Sequence, residues 1–148
     1  MKRIFIILGL LSTVVLGGCS ILGEVNNSVD YVNEATDYLD KARNFAEDVP
    51  QLAEDAVTNQ EARKNLENEL ETMQQDIKDF NETKAPSIAE DIHNQIVEYN
   101  EKLNKGIDSY LQNIENGKFD PALLQDSEIV QTANELTSLM NKIENLGS

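Results

Sequence analysis

Two residue types with broad chemical reach occur once each in the sequence, as Cys19 and His93. A lone cysteine can serve as a nucleophile, a metal ligand or a site of acylation, but it has no disulfide partner within the chain. His93 closes the string Glu90-Asp91-Ile92-His93, where Glu-x-x-His sets a carboxylate and an imidazole on one helix face. In di-iron bundles that motif occurs on two helices, with a further carboxylate from each of the others. A single histidine cannot supply the second motif, so His93 is expected at the boundary of an apolar face or in solvent, without a metal. The acidic pairs Glu47-Asp48, Glu54-Asp55 and Glu90-Asp91 lack the loop pattern that gives calcium affinity and read as a solvated acidic face. The sequence has no Gly-rich phosphate loop and no serine–histidine nucleophile motif. No catalytic, cofactor-binding or metal-binding residue is assigned, and an enzyme is not expected. What remains is Cys19.

Cys19 ends a segment patterned for export. Lys2 and Arg3 give a positive start, Ile4 to Leu16 is uncharged and almost wholly apolar, and two glycines precede the cysteine. Charge, then an apolar core of about 7–15 residues, then small residues, is the plan of a secretory signal peptide. The apolar part falls short of the roughly 20 residues needed to span a bilayer. Leu16-Gly17-Gly18-Cys19 resembles the bacterial lipobox. The resemblance implies a diacylglyceryl group on the Cys19 thiol and cleavage between Gly18 and Cys19. Two acyl chains at about 0.8 kcal/mol per buried methylene hold a protein stably where one chain does so only marginally. The plain alternative is an uncleaved signal anchor with an incidental cysteine. The chain thus divides into residues 1–18 as signal peptide, 19–27 as lipidated tether, and 28–148 as an acidic helical domain.

Removal of residues 1–18 takes away two basic residues and no acidic one, leaving 10 basic against 27 acidic residues in 130, a formal charge of −17. That sign excludes a nucleic-acid binder, which needs a basic patch to neutralise phosphate. It also opposes adhesion to anionic head groups, since like charges repel within a Debye length. Without a second cysteine the exported domain has no disulfide staple and depends on its core. No Trp, few aromatic residues, and scarce Gly and Pro favour helices packed with Leu, Ile, Val and Ala over a sheet with many turns.

Hydrophobic spacing supplies the elements. From about Asn27 to Val57 three rows repeat every seven residues: Tyr31, Tyr38, Phe45 and Leu52; Ala35, Ala42, Val49 and Ala56; and Val32, Leu39, Ala46 and Ala53, the last row prefaced by Val25. Adjacent rows make the wide stripe of a bundle helix. Pro50 removes an amide donor and crowds the preceding turn, so this helix is expected to kink or split there. A second helix from about Asn59 to Glu82 carries Ala62, Leu66, Leu70, Met73, Ile77 and Phe80, opened by a Thr58/Glu61 capping box. A third runs from about Ser87, with Glu90 as its capping-box partner, to a stop at Asn116-Gly117. Its apolar row includes Ile88, Ile92, Ile96, Tyr99, Leu103, Ile107 and Tyr110, and Gly106 within it marks a close helix contact. The tyrosines are expected at the core boundary with wet hydroxyls. Asp120-Pro121 begins a short helical turn, and Ser127 opens a last helix to about Leu146. Short links between long helices favour antiparallel neighbours, so the expected fold is an all-α, antiparallel four-helix bundle.

Three strings, Asn33-Glu34-Ala35-Thr36-Asp37-Tyr38, Ala89-Glu90-Asp91-Ile92-His93 and Asn113-Ile114-Glu115-Asn116-Gly117, occur together with the lipobox. In these the mature chain resembles a family of small uncharacterised lipoproteins from Gram-positive, spore-forming bacteria. The resemblance implies a location and a fold without an assigned chemistry: the outer leaflet of the cytoplasmic membrane, on its extracytoplasmic face.

The expected function is that of a non-enzymatic, membrane-tethered bundle that binds a partner in the envelope, either a protein or a cationic peptide. The alternative is a bundle that holds a small apolar ligand between its helices, which requires an internal pocket. Cys19→Ala is expected to lose membrane retention once the signal is removed while the far-ultraviolet circular dichroism stays helical. Membrane fractionation checks this, and a variant that remains membrane-bound without its leader contradicts it.

Overall fold

The computed structural model describes residues 19–125 and 128–147. The expected signal peptide 1–18, with Gly18 at its cleavage point, lies outside the described residues, as do Ser127 and the side chain of Cys19. The elements are α1 (Cys19–Asp55), α2 (Gln60–Asn81), α3 (Glu90–Glu115), α4 (Ala122–Gln125), α5 (Glu128–Thr137) and α6 (Met140–Glu144), followed by a 3-10 turn over Asn145–Gly147. α1 packs on α2 and α5, and α3 packs on the same two, so α1 and α3 stand on one diagonal of a four-helix bundle. Contacts run antiparallel between neighbours. Glu34 meets Thr83 and Lys41 meets Asp76 across α1–α2, while Asn81 meets Asn100 and Gln74 meets Asp108 across α2–α3.

The seven-residue rows of α1 are the buried face: Tyr31, Ala35, Tyr38, Leu39, Ala42, Phe45, Ala46, Val49, Ala53 and Ala56 are all in the core, with Val32 and Leu52 packed at its edge. α1 is unbroken from Cys19 to Asp55 with Pro50 inside it, so the split considered at Pro50 does not occur. Val49 and Ala53 on either side are fully buried, and that continuous apolar stripe offsets the hydrogen bond proline removes. The helix also takes in residues 19–27, which rise about 1.5 Å per residue there.

Three boundaries differ from expectation for identifiable reasons. The cap of α2 is Asn59, whose side-chain oxygen accepts from the amides of Glu61 and Ala62 at 2.9 and 3.3 Å, in place of the expected Thr58 box. α3 begins at Glu90, three residues after Ser87. Pro86 and Ala89 close a turn first (Ala89 N to Pro86 O, 2.8 Å), the Ala89 methyl is buried, and Ile88 is left 62% exposed. The last helix is interrupted after Thr137. There the Thr137 hydroxyl donates to the carbonyl of Ala133 and the Ser138 hydroxyl to that of Glu135, competing with the helical ladder. α6 nonetheless continues the apolar face through Leu139 and Ile143.

The other punctuation agrees with expectation. Gly117 has φ +71°, and the amides of Gly117 and Lys118 donate to the carbonyls of Ile114 and Asn113, which is a Schellman closure of α3. Asp120 accepts from the amide of Ala122 at 3.0 Å, capping α4 behind Pro121. Gly106 lets α3 approach α5: a Cβ there would lie 2.8 Å from Cγ1 of Ile129, which is itself buried. Alanine ordinarily gains about 1 kcal/mol over glycine inside a helix. Here the β-branched Ile129 has little rotamer freedom with which to yield. Gly106→Ala is therefore expected to lower stability by about 1–2 kcal/mol, the range of mild overpacking, when measured by thermal or urea unfolding. An increase in stability would show that α3 and α5 are not in close contact.

Candidate functional site

The polar side chains that the fold gathers lie on the α1–α3 diagonal. The heptad spacing of Tyr31 and Tyr38 sends both inward from α1 towards α3. The Tyr31 hydroxyl is 3.2 Å from Nδ1 of His93, and the Tyr38 hydroxyl donates to Oδ1 of Asn100. Asn100 is fully buried, and its amide nitrogen donates to Oδ1 of Asn81 on α2 at 2.8 Å. Phe80 of α2 fills the space between these pairs. Its ring stacks on Tyr38 at 4.4 Å between centroids and lies 5.3 Å from His93 and 6.4 Å from Tyr31.

Burial sets the electrostatics of this layer. Desolvation, helped by the charge of Glu34, pushes the Tyr31 phenol up to about 12. Tyr38 is pushed higher still, by burial first and by Asp76 second. Burial lowers His93, because desolvation penalises the imidazolium. Near neutral pH burial therefore favours a neutral imidazole beside a phenol that holds its proton.

His93 accordingly sits at the boundary of the apolar face, half-buried, while Glu90 is exposed. The expectation of wet tyrosine hydroxyls is corrected: Tyr31, Tyr38 and Tyr110 are each under 5% exposed and hydrogen-bonded within the protein, Tyr110 to the carbonyl of Asp120. Their hydroxyls find partners on α3 and in the loop that follows it, and amphipathic spacing alone does not reveal such partners. Asn100 was missed at the sequence level, although its place four residues after Ile96 and three before Leu103 is a core position.

At the far end of the bundle, Arg63 covers the end of α1. Its guanidinium donates to the carbonyl of Ala56 at 3.3 Å and stands 4.7 Å over the Phe119 ring. Grooves along the seams open to solvent. One of about 620 Å³ lies between α2 and α3, and one of about 400 Å³ lies beside Gly106 between α3 and α5, rimmed by Lys102, Lys105 and Glu128. Both have polar rims, so neither is the internal apolar pocket that the apolar-ligand alternative requires. Among the described residues no group of three or more His, Cys, Asp or Glu side chains is placed to hold a metal ion, and no helix is long and apolar enough to cross a membrane.

Two outcomes follow from the buried layer. Tyr38→Phe leaves Asn100 with an unmet acceptor and is expected to destabilise the bundle by about 1–3 kcal/mol in urea unfolding, whereas a neutral result would mean water reaches Asn100. For His93, the unfolded chain takes up a proton near pH 6.5, before the folded imidazole does. The stability it contributes is therefore complete above that pH and is lost as pH falls below it. Between pH 7.5 and 5.5 the native chain should lose more thermal stability than His93→Gln, and equal losses would refute the role of this group.

The profile of a family of unknown function, DUF6376, matches residues 31–146. An uncharacterized lipoprotein of Bacillus subtilis (strain 168), YybP, is 41% identical over 147 residues, covering 99% of this chain and 99% of the relative. No solved structure matches the chain.

Proposed function

On the premise that the chain belongs to the DUF6376 family, whose profile spans residues 31–146, we propose that it is an extracytoplasmic lipoprotein held to the cell membrane by lipid on Cys19. One observation carries the reading. The likeness to a protein named as a lipoprotein extends over 147 residues and so takes in the leader as well as the bundle, where Leu16-Gly17-Gly18-Cys19 has the lipobox form.

The physics of the mature domain agrees with this anchor. At a formal charge of −17 its surface is repelled by anionic head groups, so the lipid does the holding. α1 starts at Cys19 and continues into the core, which ties the bundle directly to the lipidated residue. The protein acts without catalysis, as a binding component of the envelope. Its charge raises the encounter rate of cationic partners, in a manner that falls with salt.

Labelled palmitate fed to cells is expected to enter the native protein and not Cys19→Ala. Crosslinking in intact cells followed by mass spectrometry is expected to recover an envelope partner with the native form above the unlipidated control. Absence of label overturns the anchor, and equal recovery from both forms overturns the tethered-receptor role.

A further inference from the structure

We propose that the end of the bundle nearest Cys19 is a membrane-contact surface, seated in the head-group layer of the bilayer with Ile88 at its leading edge. The inference rests on the lipid anchor proposed above: the lipid holds the protein, and this surface sets how the bundle stands. Among the described residues three large apolar side chains are prominently exposed, Val29, Val57 and Ile88. Two of them, Val29 and Ile88, lie at the end from which α1 reaches back to Cys19, and Ile88 is the most exposed of the three. A single exposed aliphatic residue is ordinary on a protein surface, so its place and the charge around it decide its meaning.

Place follows from register. Tyr31 meets His93 and Tyr38 meets Asn100, each 62 residues apart, so Glu90 at the start of α3 stands level with Ser28 of α1. The loop before it packs at the same level, where Thr83 to Pro86 share a recess with Asn27 and Asp30. From Cys19 to Asn27 the continuous helix rises only roughly 12 Å. The polar layer of one leaflet is about 5–8 Å deep, so a modest tilt of α1 brings the Ile88 edge into it.

Charge at this end differs from the rest. Between Cys19 and Val29 the only charged residue is Glu24, and between Thr83 and Ala89 it is Lys84, so the two segments cancel. The closing turn Asn145–Gly147, which packs on α1, carries none. The whole excess of −17 lies outside these segments, starting at Asp30, Glu82 and Glu90 where three helices leave this end. The apolar positions change face here as well. At about 100° per residue, Ile21, Leu22, Val25 and Val29 share an arc turned away from the buried row of Ala35 and Ala42, and the exposure of Val29 agrees with that. A charge-poor end with apolar positions outside the core matches the polar–apolar boundary of a bilayer. The lipid on Cys19 brings the bilayer, and not a second copy, to this end.

The test is fluorescence of the lipidated chain in phosphatidylcholine vesicles that carry a nitroxide on the lipid head group. Lipid occupies the Cys19 thiol, so Ser87→Cys and Thr58→Cys, both at exposed sites, each supply one free thiol for a polarity-sensitive dye. Dye at position 87 is expected to be blue-shifted and quenched several-fold more than dye at position 58, at the far end of the bundle. Ile88→Asp in the Ser87→Cys chain is expected to abolish the difference with unchanged circular dichroism. Equal quenching at the two positions, or quenching at position 87 that survives Ile88→Asp, overturns the contact surface. A blue shift at position 87 without quenching by the lipid probe would mean that a second copy covers this end, and overturns it as well. A lipidated chain that stays on vesicles with position 87 in water refutes this surface alone, whereas a chain that carries no lipid refutes the anchor and this surface with it.

Discussion

Two contacts cross the diagonal of the bundle, Tyr31 to His93 and Tyr38 to Asn100, and each joins residues 62 apart in sequence. The constant separation means that α1 and α3 run parallel in a single register. Sliding α3 by one turn would break both contacts together and leave Asn100, which has no exposed surface, without its acceptor bond. A buried polar pair of this kind adds little net stability but penalises wrong alignments, because an unmet amide in the core costs about 1–3 kcal/mol. Phe80 makes the same demand of α2, since its ring must lie between the two pairs to stack on Tyr38. With three helices placed, α5 has one close seat on α3, where Gly106 admits Ile129.

Much of this was legible in the residues. The three seven-residue rows of α1 are the face that is buried, and the 3–4 spacing of Ala62 to Phe80 gives α2 to within a residue at each end. Gly106 and Gly117 announced a close contact and a helix stop because each does something a side chain would obstruct. What escaped depends on competition between near-equal local options. Asn59 and Thr58 are adjacent candidates for one cap, Ile88 and Ala89 for one buried position, and Thr137-Ser138 for helix or for back-bonded turn. Tertiary packing decides such cases. The diagonal layer escaped for another reason: hydroxyl and amide partners 62 residues apart leave no periodic trace.

The same division holds for function. The lipobox-like string Leu16 to Cys19 is contiguous, so the proposed address is visible without a structure. A strongly acidic domain is repelled by an anionic surface, so the hold on a membrane proposed for this chain falls to lipid on Cys19.

The most direct test of the tethered-lipoprotein account is the intact mass of the protein extracted from membranes of cells that make it. The account predicts a species that begins at Cys19 and carries the added mass of a diacylglyceryl group. A species that retains residues 1–18, or one cleaved elsewhere without lipid, would contradict it.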